Sequence, residues 1–481
     1  MTMLLNDWKK YYEVKPWFPN QEHLDLVKEA FNLSVRLQLF TNDCGVMTIE
    51  QALVGFEFST SCGFNFCCLE LGCSCHTKRE FWHRHEPYVR SVISDIMNTG
   101  DCKSGVYFKA SPKVEIRDTM KLLVKKKVRT FLTGDFIHTL VGRMLFKRQN
   151  DLFLGFSDSD DYSAMGVSIF YGGWDRMIRR FDAGRFDKRL ACLDVSAMEV
   201  SQTEHMLDIV YDIRHEHMYD LENSHDRLFA WYYDNLVYTY LVDPQGFLCR
   251  KFGSMPSGGF TTLSDNCITM KFVVCYGISF CPGINSASDL LKAMNIIRIK
   301  VMGDDVIMED KPYMDNDIVD LIQIKAIDLG FKIELEVERP TPFLDARFLN
   351  MTTVFDIKHA KYIFMPNVDK LLASIYLWRK HNSWRFTLAK LAGIRCMLWH
   401  TAYRSEIDKL IYYVVDKHTT HMIGETDFDE VLPMEMLQSV ILSDHQMNQL
   451  LFGLECNPGQ SQKDSSFEDL LRVFDLIKFD L

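Results

Sequence analysis

The 481-residue chain has no surplus of positive charge: 54 Lys and Arg stand against 65 Asp and Glu, a formal net charge of −11. That balance argues against a simple cationic binder of nucleic acid, although net charge conceals local patches. The N-terminus lacks the basic, apolar, small-residue order of a signal peptide. No apolar run reaches the ~20 residues of a membrane span, and Lys271 interrupts the stretch Ile268–Ile284. A soluble protein made in the cytosol is the expectation. Fourteen cysteines are present, yet no clean C-x2-C pair recurs. The crowded set Cys62, Cys67, Cys68, Cys73, Cys75 and His76 is therefore read as free or buried thiols, and zinc is not expected. Repeats and low-complexity segments are also missing. The remaining composition, 47% hydrophobic and 25% charged, is that of a globular chain with ample core.

What is there centres on Ile296–Glu309. Two apolar runs, Ile296–Met302 and Val306–Met308, flank Gly303-Asp304-Asp305. Ile297, Ile299 and Val301 alternate with Arg298 and Lys300, which is strand periodicity. Glycine and aspartate between such runs favour a tight hairpin turn. Two adjacent carboxylates at its tip repel each other, and a divalent cation relieves that repulsion most simply. Taken alone, the same residues also read as an ordinary solvated turn.

Upstream, Glu22–Leu39 carries a helical apolar stripe and Asp135–Asn150 another. Lys109–Arg129 is the most basic stretch of the first third, with Lys127 and Arg129 on one face if it is extended. Two such cations suit phosphate oxygens, against the plainer reading of a solvated face. Asp158–Asp161 is a polar loop without the glycine and terminal glutamate of a calcium loop. Arg189–Val195 is a short apolar run that brings an acid, Asp194, to its end, with Glu199 five residues on. Gly253–Asn266 is a Ser-Gly loop running into a helix, with Thr262 and Asn266 four apart on one face. Downstream, Asn316–Leu329 reads as a helix capped by Gly330, and Lys332–Val337 as a strand. Beyond about residue 357 the pattern reads as helical to the end. Trp378, Trp384 and Trp399 lie among Lys370, Arg379, Lys380, Arg385, Lys390, Arg395 and Arg404, and the tryptophans are expected in the core.

The order of these pieces resembles the RNA-dependent RNA polymerases of positive-strand RNA viruses, in the picornavirus-, calicivirus- and astrovirus-like grouping. The resemblance covers roughly residues 55–350. Thr60-Ser61-Cys62-Gly63 looks like motif G, where the template enters, and Lys127-Val128-Arg129 like the K-x-R of motif F. Asp194 with Glu199 is similar to motif A, D-x4-D, and Ser257-Gly258-x3-Thr262-x3-Asn266 to motif B without a gap. Gly303-Asp304-Asp305 resembles motif C, and Phe343-Leu344-x3-Phe348 motif E. Three positions depart. Glu199 stands where the family has a second aspartate, which with the motif B asparagine reads the ribose 2′-hydroxyl. Asp345-Ala346 replaces a basic pair, with Arg347 arriving late. The general acid of motif D has two candidates, Lys332 and Arg339.

The resemblance implies an α+β right hand of fingers, palm and thumb, the palm an antiparallel sheet backed by helices. On that scheme residues 1–188 are fingers, 189–212 palm with motif A, 213–252 a fingers insertion, 253–356 palm with motifs B to E, and 357–481 a helical thumb. It implies template-directed RNA synthesis from NTPs with two Mg2+ or Mn2+ ions held by Asp194, Asp304 and Asp305. Lys127 and Arg129 would meet the triphosphate; Glu199, Ser257, Thr262 and Asn266 the ribose; Thr60, Ser61 and Gly63 the entering template. Implied partners are the RNA template, the nascent strand and other viral replication proteins, in membrane-associated complexes of the host cytoplasm. Three rivals remain open, the third a zinc-binding interaction module around Cys62–His76 that metal analysis of the purified protein would test. A reverse transcriptase usually has Tyr-x-Asp-Asp, where this chain has Met302-Gly303 before the acids, and incorporation of NTP against dNTP separates the two. An inactive RNA-binding scaffold would not need Asp194, Asp304 and Asp305 intact.

Overall fold

The structure is a computed structural model and describes residues 9–12, 15–39, 44–64, 74–102, 105–113, 128–155, 162–181, 189–218, 221–242, 246–338, 341–376, 384–422 and 444–452. Lys127, Arg339, Cys67, Cys68, Cys73, the Asp158–Asp161 loop, Trp378, Arg379 and Lys380 lie outside the described residues. The chain divides into two compact units, Met1–Gly166 with Asp187–Pro342, and Val167–Phe186 with Phe343–Leu481.

The first unit contains, in chain order, β1 (Tyr107–Pro112), β2 (Thr130–Thr133), β3 (Arg189–Val195), β4 (Tyr240–Val242), β5 (Leu248–Arg250), β6 (Ile299–Met302), β7 (Asp305–Glu309), β8 (Ile333–Leu335) and β9 (Thr341–Pro342). One sheet has the order β6-β7-β3-β8, with β9 also pairing β3, and every pairing in it is antiparallel. β3 is central because it can be buried on both faces: Leu190, Ala191, Cys192 and Leu193 are all buried. A strand covered on both sides reads as a continuous apolar run instead of an alternation. The helix Thr262–Ser279 packs against β6 and against the helices Gln21–Leu39 and Ile318–Ala326. It is buried almost all round, as a core helix is.

The hairpin expected at Ile296–Glu309 is present but shorter. Ile296 ends the helix Ala287–Ile296, and β6 begins at Ile299. Lys300, expected on a polar face, is buried, and its ammonium donates to the Ser163 carbonyl at 3.2 Å. The second sheet has the order β2-β1-β4-β5, antiparallel except for the parallel β1–β4 pair. Helices and antiparallel strands thus coexist as the α+β expectation required.

The second unit corrects the expectation of an all-helical C-terminal region. β10 (Met351–Asp356) and β11 (Lys361–Pro366) form an antiparallel hairpin inside it. The apolar run Tyr362-Ile363-Phe364 gave too short a signal between two helical patterns, and all three residues are buried. Trp174 Nε1 donates to Thr353 Oγ1 at 3.2 Å, and Asp175 accepts from the Tyr362 N–H at 2.8 Å. These bonds seat the helix Gly173–Arg179 on the hairpin. Farther on, Trp384–Met397 and Arg404–Met422 pair through Leu388, Leu391, Ile394, Ile407 and Ile411. Trp399 is largely buried beneath Arg404, whose guanidinium carbon lies 3.3 Å from the ring centroid.

Candidate active site

The hairpin tip is built by backbone chemistry. Met302 pairs with Asp305, leaving Gly303-Asp304 as a two-residue turn. Gly303 has φ +69°, the left-handed region that side chains other than glycine adopt at a cost. Its N–H donates to Cys267 Sγ at 3.2 Å, and that thiol approaches the Val301 carbonyl at 3.8 Å. Cys267 belongs to the helix Thr262–Ser279, so this buried thiol ties the helix after the Ser-Gly loop to the two acids. Nothing in the sequence pattern singled it out.

β3 carries Asp194 beside this tip. Leu193 pairs with Val306 on β7, and Asp194 itself lies opposite Glu334 on β8. Directly opposed residues of an antiparallel pair present their side chains on the same face. Asp194 is half-buried, and its carboxyl is raised above the ordinary aspartate range. Burial is the main cause, followed by the negative charges of Asp304 and Glu334; the Val195 N–H and Arg129 act the other way. Asp194 and Asp304, 110 positions apart (304 − 194), are therefore electrostatic neighbours. Glu334 was missed, although its place in an expected strand beside Lys332 was a usable signal.

Arg129 lies just before β2, and its positive charge reaches both Asp194 and Glu199. β2 also holds the Ser-Gly loop. The Leu132 N–H donates to Ser257 Oγ at 3.1 Å, and Thr133 bridges Gly258. A Cβ at Gly258 would stand 2.2 Å from the Leu132 carbonyl oxygen, so only glycine allows this approach. Thr262 Oγ1 donates to the carbonyls of Pro256 at 2.6 Å and Gly259 at 3.0 Å. The Ser257 and Thr262 hydroxyls thus hold the loop itself. Behind it, buried Lys251 donates to the carbonyls of Leu236, Gly253 (2.7 Å) and Ser254 (2.9 Å), and burial brings its ammonium down to about 7.

The structure gives Glu199 and Asn266 separate partners. Glu199 Oε1 accepts from Lys10 Nζ at 2.6 Å, with both side chains largely covered. Burial on its own would raise this carboxyl; the charge and hydrogen bond of Lys10, with Arg129 behind them, leave it lowered. Asn266 Oδ1 accepts from Gln202 Nε2.

The remaining expected positions are spread around this centre. Ser61 bridges Thr77, Thr60 Oγ1 donates to the Glu57 carbonyl at 2.9 Å, and the Gly63 N–H donates to Ser61 Oγ at 3.2 Å. A Cβ on Gly63 would lie 2.3 Å from the Gly134 carbonyl oxygen, which docks this turn just past β2. Cys62 Sγ donates to the Cys75 carbonyl at 2.9 Å. The Lys332 carbonyl accepts the Ser196 N–H at 2.9 Å, two residues past Asp194. Its exposed ammonium pairs with Glu334 at 2.5 Å.

Asp194, Asp304 and Glu334 bring carboxylate oxygens into one neighbourhood, the donor type that hard divalent cations such as Mg2+ take, while among the described residues no group of three or more His, Cys, Asp or Glu is placed to hold a metal ion. Arg129 acts electrostatically on Asp194, and the glycine-rich loop is tied to β2, the strand that follows Arg129. A model of the family described as viral RNA-dependent RNA polymerase matches residues 3–419, and the chain belongs to that family. It is similar to genome polyproteins of Peanut mottle virus (27% identity over 224 residues, 47% of this chain and 7% of the polyprotein) and Zucchini yellow mosaic virus, strain Reunion Island (26% over 312 residues, 64% and 10%). The polyprotein of Ornithogalum mosaic virus is 24% identical over 365 residues, 73% of this chain and 30% of that polyprotein. The chain thus matches about a tenth or less of the length of the first two relatives. Among the described residues no helix is long and apolar enough to cross a membrane.

Proposed function

We propose that this chain copies RNA from an RNA template, joining NTPs to a growing 3′ end in viral genome replication and transcription. The observation that carries this reading is the meeting of Asp194 and Asp304 at one end of the antiparallel sheet, in a chain of the polymerase family. Phosphoryl transfer asks chiefly for charge neutralisation and an in-line approach. Asp194 and Asp304 would hold two Mg2+ or Mn2+ ions, with Asp305 assisting. When bound, such ions lower the pKa of an attacking hydroxyl and neutralise a departing pyrophosphate.

The chain's own groups have the following tasks. Arg129, with Lys127, draws the triphosphate towards the acids. The Ser-Gly loop, locked onto β2 through Ser257 and Gly258, fixes the floor on which the ribose rests. Thr60, Ser61 and Gly63 guide the entering template. Lys332, whose backbone is bonded to the segment following Asp194, is taken as the general acid in this reading; Arg339 lies outside the described residues. Glu334, paired with that ammonium, keeps it near the reacting phosphates.

In this reading the sheet β6-β7-β3-β8 is the core of a palm, the segments before β3 are mainly fingers, and the second unit contributes the thumb. RNA template, nascent strand and NTPs are the direct partners. Other viral replication proteins would bring the chain to membrane-associated complexes of the host cytoplasm. The test is primer extension on an RNA template with Mg2+ or Mn2+. Asp304→Ala is expected to abolish extension; a variant that extends primers as well as the wild type would overturn the reading.

A further inference from the structure

Gln202 follows the short helix Met198–Ser201 and is 1% exposed. Its Nε2 donates to Asn266 Oδ1, and its Oε1 accepts from Thr269 Oγ1 at 3.4 Å. Its backbone carbonyl accepts the Ser254 N–H at 2.7 Å, at the head of the Ser-Gly loop. A buried amide bonded at both ends holds one orientation. Gln202 therefore sets the orientation of Asn266 as well. With Oδ1 committed to Gln202, Asn266 offers a ligand the hydrogens on Nδ2.

Glu199 is engaged elsewhere. Its carboxylate meets Lys10 Nζ at 2.6 Å, and the two side chains are 17% and 9% exposed. Turning that carboxylate towards Asn266 would break a largely covered ion pair and strand both charges. The extra methylene of glutamate matters little to Asn266 if the carboxylate ends on Lys10.

We propose that Gln202 is a positioning residue for sugar selection: it aligns Asn266 to donate to the nucleotide's 2′-hydroxyl, while Lys10 holds Glu199 out of that contact. The proposal rests on the polymerase reading above and gives its ribose subsite a different construction from an acid–asparagine pair.

The test is single-nucleotide incorporation on an RNA template, comparing kcat/KM for ATP and for 2′-deoxy-ATP in the full chain. Gln202→Leu is expected to reduce the preference for ATP by roughly tenfold, the upper range for one neutral hydrogen bond. The loss should fall on KM for ATP, with 2′-deoxy-ATP little changed; simple structural damage would lower both alike. Thr269→Val removes only the hydroxyl that steadies Gln202, and should move the ratio the same way by about threefold. It serves as the measurement if Gln202→Leu does not fold. Glu199→Gln should shift the ratio less than Gln202→Leu does. An unchanged ratio in the folded Gln202 and Thr269 variants, or a larger shift from Glu199→Gln, would overturn the proposal. A wild-type chain that incorporates neither nucleotide would overturn the polymerase reading instead.

Discussion

Asp265 and Asp194 are carboxylates of one unit with opposite fates. Asp265 is fully buried and meets Arg214 Nε at 2.5 Å. The same guanidinium donates to Ser264 Oγ at 2.6 Å, Gln149 Oε1 at 3.0 Å and Asn150 Oδ1 at 3.2 Å. Tyr233 OH donates to the second Asp265 oxygen at 3.4 Å. Burial alone would lower Arg214, but the charge and hydrogen bond of Asp265, with Tyr233 and Tyr232, together outweigh it and the guanidinium stays protonated; burial also raises the Asp265 carboxyl, against the pull of Arg214 and its hydrogen bonds. Asp194, half-buried, is raised by burial and by its charged neighbours Asp304 and Glu334, with the smaller influences of the Val195 N–H and Arg129 against them. A carboxylate fully matched by protein groups is scaffold. One surrounded by like charges keeps its affinity for a cation from solution.

Substitution should separate the two sharply. Asp304→Ala is expected to lower primer extension on the order of a thousandfold, the scale of removing several kcal/mol of charge stabilisation. Its melting temperature should be unchanged or higher, because a repelling charge has gone. Asp265→Ala should do the reverse and destabilise the fold by about 3–5 kcal/mol, since Arg214 is left charged and buried alone; denaturant unfolding measures this. Catalysis by the fraction still folded should remain. An Asp265 variant of full stability would break the comparison.

Lys251→Met is the next largest. It leaves the carbonyls of Leu236, Gly253 and Ser254 without their buried donor, at a cost of about 2–4 kcal/mol. Because two of those carbonyls lead into the Ser-Gly loop, hydrogen exchange there should accelerate before the rest of the unit.

The smallest effect sharpens the Asp194 side. Its folded-state carboxyl lies above the unfolded value, so between the two the folded chain keeps a proton that the unfolded chain has lost. Stability contributed at this position therefore falls as pH rises through that window. Glu334→Gln removes one like charge and should make the fall shallower, worth roughly 0.5 kcal/mol or less after solvent screening. Mg2+ should raise the melting temperature of the wild type more at about pH 7.5 than at about pH 5, because protons and cations compete for the same oxygens. Equal stabilisation at both values would remove Asp194 from the set of cation ligands.

The local pieces were largely legible. Gly303-Asp304 between β-branched runs announces a hairpin because turn chemistry is a property of adjacent residues. The apolar stripe of Gln21–Leu39 announces its helix for the same reason. The failures share a cause as well. Ile296 belonged to a helix end, Lys300 was buried where a polar face was expected, and β11 hid between helical patterns. In each case the surroundings, not the neighbours in the chain, decided.

The same division runs through the candidate site. The sequence by itself determined which residue types were present: paired acids in a tight turn, another acid closing an apolar strand, and a loop whose glycine can lie against backbone. Only the tertiary structure decided who faces whom. It set Asp194 opposite Glu334, gave Glu199 to Lys10 from 189 positions away, and gave Asn266 to Gln202 from 64 positions away. Short-range turn and strand preferences carry no information about such pairs, because they are fixed by sheet register and by where the first helices pack.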